Sequence, residues 1–369
     1  MRGASQQVML DSFFGSLGGD GDLHRVISDR GFAKARDRLS WNALQRLNAF
    51  VVQTADRLGL VERWRGLRVV AADASVFFPA VRTCTNLKGF AASPNQRLFS
   101  LFLPGAELTL YAQVHGERTS ERQMLFEALA QLGPGDVLVL DRGYPATWLV
   151  AYLNEHKIRF CMRCDKLNGW KAMRALLDSE STEAMVTLKK PNQRDVTDYQ
   201  CSGAAPQLRL VRHVTPDGKI WVLATNLPVA DFPAEVFGDF YHQRWRIEES
   251  YKRLKHRLKL ESVSGLTQHA VLIDVYAKVL TDNLNALVCR GASEDADLAA
   301  SDRHCNRTYA GACLQRLIPR LVMGLECLVV LLEKAFGLLG ANSHQRRPGR
   351  KSARPYRHVK PHPNMAYKG

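Results

Sequence analysis

"YHQRWRIEESYKRLKHRLKLE" occupies residues 241–261. It carries seven Lys and Arg, yet two glutamates, Glu248 and Glu249, stand side by side at its centre. The spacing of its apolar residues predicts one helix. At 100° per residue, Tyr241, Arg244, Glu248 and Lys255 fall at roughly 0°, 300°, 340° and 320°, so all four share one face. Glu249 lies off this arc and is expected to be solvated or salt-bridged. A face with this many cations suits a polyanion. An acid among those cations needs a reason, because a carboxylate beside phosphates only repels them unless another cation stands between.

Two aspartates upstream supply that reason. "LRVVAAD" (67–73) and "DVLVLD" (136–141) are apolar runs suited to buried strands, each closing on an acid. An Asp at a strand end also simply opens turns. With Glu248, however, Asp73 and Asp141 make three hard oxygen donors, a set that suits Mg²⁺. Two such ions, about 4 Å apart, activate a water or a 3′-hydroxyl and stabilise the leaving oxygen.

The bulk numbers agree with a polyanionic partner. Lys and Arg number 51 against 36 Asp and Glu, a net charge of +15 over 369 residues. Nucleic acid is the first partner this suggests and an anionic membrane the second. The hydrophobic content of 46% excludes a disordered chain. The eight cysteines are scattered, as expected of a reduced, cytoplasmic protein. "CMRC" (161–164) lies in an apolar strand-like run, so buried structural thiols are expected rather than a metal or redox site. The N-terminus is polar and glycine-rich, and no signal peptide is expected. "LVMGLECLVVLLEKAFGLL" (321–339) is interrupted by charge and reads as a core helix.

The pattern divides the chain. Residues 1–64 read as amphipathic helices, with one face rich in Arg and Lys. That face is either solvated or docks DNA. Residues 65–164 alternate strands and helices, starting with a hairpin of "RLFSLFL" (97–103) and "LTLYAQV" (108–114) joined by "PGAE". Ser120 and Gln123 resemble a capping box opening the next helix. Residues 165–235 read as a β-rich insertion, 236–340 as helical, and 341–369 as a disordered basic tail with eight Lys or Arg and no acid. The fold class expected is a mixed α/β sheet flanked by helical N- and C-terminal regions.

"YHQRWRIEESYKRLK" resembles the Tyr–Arg–Glu–Lys signature of DDE transposases of bacterial insertion sequences, in the branch of the insertion-sequence-four and transposon-five type enzymes. "VLDRGY" around Asp141 resembles the second acidic motif of these enzymes, and "VVAADAS" around Asp73 the first, with Ala74 and Ser75 where Gly and Thr are frequent. The resemblance covers roughly residues 65–260. It implies an RNase H-like core interrupted by a β-strand insertion. It implies Asp73, Asp141 and Glu248 as the catalytic and metal-binding triad, with two Mg²⁺ or Mn²⁺ ions per active site. Tyr241, Arg244 and Lys255 would grip DNA phosphates. Trp221, in "KIWVLATNLPV", would stack on a flipped base of a hairpin intermediate, where a strand aromatic is otherwise core. The activity implied is cut-and-paste transposition on the bacterial nucleoid, acting on double-stranded terminal inverted repeats and target DNA, as a homodimer. Two other readings stay open: another RNase H-like nuclease, or an inactive DNA-binding derivative.

Overall fold

The computed structural model describes residues 5–18, 23–79, 95–164 and 170–345. Cys84 and all of the basic tail beyond Gln345 lie outside them.

The chain opens with helices α1 (Gln6–Gly18), α2 (Asp29–Arg36) and α3 (Trp41–Arg57). Strands β1 (Arg63–Trp64), β2 (Leu67–Phe77), β3 (Gln96–Leu103) and β4 (Leu108–Gly116) follow, then α4 (Glu121–Ala128), β5 (Asp136–Leu140), α5 (Thr147–Glu155) and β6 (Arg159–Cys164). Next come α6 (Lys171–Asp178), β7 (Glu183–Thr187), α7 (Gln193–Tyr199), β8 (Gln207–Val214) and β9 (Ile220–Thr225). Helices α8 (Phe237–His242), α9 (Arg246–Lys252), α10 (Gln268–Asp295), α11 (Arg307–Val322) and α12 (Leu328–Ala341) follow, with a short antiparallel ladder of Arg303–His304 and His344–Gln345.

Two compact units divide these elements. The first takes residues 1–51, 77–95 and 252–369, and the second takes residues 52–76 and 96–251. The second unit holds a mixed sheet in the order β4-β3-β2-β5-β6-β9-β8-β7, with β1 paired on β2. β5 is parallel to β2, and β6 is parallel to β5. Every residue of β5 is buried, as expected for a parallel strand covered on both faces. The order β4-β3-β2-β5-β6 is an RNase H-like core. The three strands of residues 165–235 are present, and they do not form a sheet of their own. β9 pairs antiparallel with β6 and β8 with β9, so the insertion lengthens the core sheet.

Local signals account for several boundaries. Ser120 caps α4 by accepting from the Gln123 backbone N–H at 3.2 Å. The reciprocal half of a capping box is missing, since the Gln123 side chain donates forward to Glu127 at 2.8 Å. Cys161 and Cys164 are buried in β6, where burial pushes both thiols up, Cys164 to about 12, so neither is a thiolate at neutral pH.

Two expectations need correction. Residues 241–261 are not one regular helix. A 3₁₀ turn at Gln243–Trp245 and a π turn at Arg253–Arg257 flank α9, and the helical backbone stops before Leu258. Nor is 321–339 one core helix. α11 ends at Val322, α12 begins at Leu328, and Met323, Leu325, Leu328, Val329 and Val330 are exposed. Gly324 adopts a left-handed φ of 66° in the turn between them, a conformation that favours glycine over the residues around it.

Candidate active site

The parallel register of β2 on β5 builds the site. Arg68 lies opposite Asp136, and Ala71 opposite Val139. The pairing ends there, but the same offset carried two residues further would bring Asp73 opposite Asp141, and the Asp141 charge bears on Asp73. Side chains two residues apart share a face of the strand, and neighbouring strands run about 4.8 Å apart. Asp73 does not end its strand, as the apolar run suggested, because β2 continues to Phe77. Asp141 follows the last residue of β5 directly.

Backbone amides reach both carboxylates. Ala74 N–H donates to Asp73 Oδ1 at 2.9 Å, and Gly143 N–H donates to Asp141 Oδ1 at 2.7 Å. Loss of solvation pushes the Asp73 carboxyl up to about 7, against the lowering influence of Arg244 and the Ala74 amide; Asp141 and Glu121 add to the rise. The Asp73 charge is therefore costly as the metal-free site stands.

Glu248 comes from α9. Tyr251, one turn further on, seats that helix on the sheet, its hydroxyl 2.7 Å from the Asp73 carbonyl oxygen and 3.0 Å from that of Leu98. Glu248 accepts from Arg244 Nη2 at 2.6 Å. Arg244 is buried, and its interactions with Tyr241, Glu248 and Asp73 hold its proton more firmly than usual. Arg244 thus finds a carboxylate as its immediate partner where a phosphate was expected. Tyr241 is buried in the core cluster formed by β5, β8, β9 and α8, and its ring meets Trp221 and Trp245 edge-on. Glu249 is exposed and engaged in an interaction of its own, in keeping with its position off the Glu248 face. Lys255 falls in the π turn, in the other compact unit.

Trp221 packs on the edge of the same core cluster and lines a cavity of about 350 Å³ with Arg142, Arg163 and Lys219. The Arg163 guanidinium lies 4.6 Å over its ring. Arg142 is the neighbour of Asp141 in the chain, so one short loop serves both the cavity and the carboxylates.

A family model described as the transposase DDE domain matches residues 64–284. The chain belongs to this family. No curated protein matches it. Among solved structures the chain is similar to the piggyBac transposase in its synaptic complex with hairpin DNA, determined by cryo-EM. The identity is 9% and the TM-score 0.42, with 82% of this chain and 64% of that one covered; the chain thus spans less than two thirds of that structure's length.

DDE transposases generally use divalent metal ions. Among the described residues, no three His, Cys, Asp or Glu side chains converge closely enough to hold one. The Arg244–Glu248 ion pair gives one reason, because it holds the Glu248 carboxylate. A Cβ built on Gly143 would lie 3.1 Å from Asp141 Oδ1 and 3.4 Å from Glu121 Oε2, so the missing side chain leaves a gap lined by carboxylate oxygens. The Tyr144 hydroxyl is fully buried and has no hydrogen-bond partner among the described residues. Tyr144 and Gly143 both lie in "VLDRGY", and Tyr251 lies three residues after Glu248. Only their positions beside the carboxylates distinguish them from ordinary turn and core residues, so the sequence reading passed over them.

Proposed function

We propose that the transposase moves an insertion sequence by cut-and-paste, in the branch of the insertion-sequence-four and transposon-five type enzymes. The observation that supports the reading is the parallel β2–β5 register, which runs toward Asp73 on one strand and Asp141 just after the other, within a DDE domain. Asp73, Asp141 and Glu248 hold the metal ions, two Mg²⁺ or Mn²⁺. When bound, these ions supply Lewis-acid activation of the attacking oxygen and stabilise the leaving one. Glu248 leaves Arg244 to join them, and the freed guanidinium turns to a DNA phosphate. Lys255 holds a second phosphate. Tyr241 acts from beneath, buttressing Trp221 and Arg244. Double-stranded inverted repeats bind the basic surface, two ends to a homodimer, and target DNA follows.

The hairpin route rests on the Trp221 cavity. An aromatic ring with Arg142, Arg163 and Lys219 around it suits one unstacked base and its phosphates. The test is a time course of nicked, hairpin and doubly cut products on labelled DNA bearing the repeats that flank the gene. The wild-type chain is expected to cut only with Mg²⁺ or Mn²⁺, and Trp221→Ala to nick normally while losing hairpins. Binding of the repeats without any cutting would mark an inactive derivative. Metal-dependent cutting indifferent to the repeats would mark a general nuclease.

A further inference from the structure

Two cysteines meet near the end of α10, and the DNA chemistry uses neither. Cys289 is buried in α10, and Cys305 is half-buried just ahead of α11. Cys289 forms a small buried cluster with Ala292, Ala310 and Leu339, and Cys305 packs against that cluster. The Cys289 thiol reaches two acceptors, Asn285 Oδ1 at 3.7 Å and the Cys305 sulfur.

The segment that carries Cys305 is anchored on both sides. Before it, Arg303 and His304 pair with Gln345 and His344, and Arg303 Nε donates to Ser343 Oγ at 2.7 Å. After it, Asn306 caps α11, its side-chain oxygen accepting from the amides of Thr308 at 3.1 Å and Tyr309 at 3.2 Å. Asn285 joins this segment to α10. Its Nδ2 donates to the Arg307 carbonyl at 2.9 Å, while its Oδ1 takes the Cys289 thiol. One side-chain amide thus spans from the Cys289 sulfur to the backbone two residues past Cys305. The backbone holds the two sulfurs together without any bond between them.

The pair also differs in chemistry from the cysteines of β6, which burial keeps protonated. The hydrogen bond from Cys289 lowers the Cys305 thiol below its ordinary value, burial opposes it, and the Arg307 charge adds to the lowering. A thiolate, rather than a thiol, attacks peroxides, and partial exposure lets a peroxide reach this one. A neighbouring thiol then resolves the sulfenic acid that forms.

We propose that Cys289 and Cys305 are a peroxide-responsive dithiol, which closes reversibly into a disulfide that fastens the end of α10 to the start of α11. The Cys305 sulfur attacks hydrogen peroxide, breaking its O–O bond; one oxygen stays on sulfur as the sulfenic acid and the other leaves as water. The Cys289 sulfur then attacks the Cys305 sulfur. The S–S bond forms, the S–O bond breaks, and the hydroxyl leaves with the Cys289 proton as a second water. The dithiol gives up two electrons and two protons, and a thiol reductant restores it. The inference does not depend on the transposase reading.

The experiment treats the reduced full chain with hydrogen peroxide, alkylates the remaining thiols and maps linked peptides by mass spectrometry. A Cys289–Cys305 link is expected as the main intramolecular product, cleaved by dithiothreitol. In Cys289→Ala the sulfenic acid on Cys305 has no resolving thiol, so its capture by dimedone is expected to rise several-fold over wild type. The wild-type peptide map carries the test if that variant fails to fold. A link from Cys305 to Cys313 or Cys327 in place of Cys289 overturns the proposal. So does a Cys305 that stays reduced at a peroxide concentration that oxidises the exposed Cys327, or dimedone capture unchanged in folded Cys289→Ala.

Discussion

Strands β2 and β5 carry acid at both ends of their pairing, and the two ends are treated differently. At the start, Asp136 is buried and gripped by Arg68 through Nε at 2.6 Å and Nη2 at 2.7 Å, while Gly133 N–H donates to it at 2.8 Å. Arg68 also reaches Asp56 at 2.9 Å. At the far end the charges of Asp73 and Asp141 bear on each other, and backbone amides reach the two carboxylates in place of a guanidinium fork. One end satisfies its acid within the protein and so pins the strand register. The other brings acids together with weaker compensation, so that loss of solvation raises the Asp73 carboxyl despite Arg244, an arrangement that costs stability.

The contrast breaks if the two ends respond alike to substitution. Asp73→Ala and Asp141→Ala are expected to reduce strand cleavage roughly a thousandfold or more, with binding of the DNA ends retained because Lys and Arg meet the phosphates. Gel assays of cleavage and of binding, run on the same preparations, check both halves. Cleavage by either variant at the wild-type rate would remove that acid from the site.

The next largest effect is a pH dependence of the metal-free protein. The folded-state pKa of Asp73, about 7, lies above its ordinary value of 3.8. The folded state therefore binds the proton more tightly than the unfolded chain, and stability falls as pH rises from about 4 to about 7 and then levels off. At about 1.4 kcal/mol per unit, the loss reaches ~4 kcal/mol. Asp73→Asn abolishes it, so the variant should gain on the wild type between pH 5 and pH 8 in chemical denaturation. A constant difference between the two proteins across that range would show that Asp73 is not held protonated.

Asp136→Ala should do the reverse of Asp141→Ala. It leaves a half-buried guanidinium with Asp56 as its remaining partner, a cost of about 2–3 kcal/mol. Cleavage per folded molecule should stay near wild type. The smallest expected effect belongs to Glu249→Gln. This exposed residue should change stability by no more than about 0.5 kcal/mol and keep most activity, whereas Glu248→Gln loses it. Equal losses in the two variants would mean that the face of α9 turned toward the carboxylates has been wrongly assigned.

Much of this was legible in the residues. Apolar runs of strand length marked β2, β5 and β6, and the turn "PGAE" marked the β3–β4 hairpin, because a buried strand and a tight turn each leave a local composition. The spacing of Tyr241, Arg244 and Glu248 marked a helical stretch. It could not show that a 3₁₀ turn and a π turn flank α9, since the 100° phase assumes a regular helix. Nor could it show that Tyr241 and Arg244 are buried, because burial depends on what the rest of the chain places over them.

The sequence by itself determined the order of most elements and the basic character of the chain, and it singled out three acids, Asp73, Asp141 and Glu248, as candidates, since these follow from residue type and spacing. Tertiary structure alone decided the rest. Parallel pairing of strands more than sixty residues apart aligned β2 with β5, and the charges of Asp73 and Asp141 bear on each other. The fold of α4 brought Glu121 toward Asp141, and the absence of a side chain at Gly143 left a gap there. The insertion joined the core sheet because the free edge of β6 could pair with β9. Each of these outcomes depends on contacts between residues distant in the chain, and no local pattern encodes them.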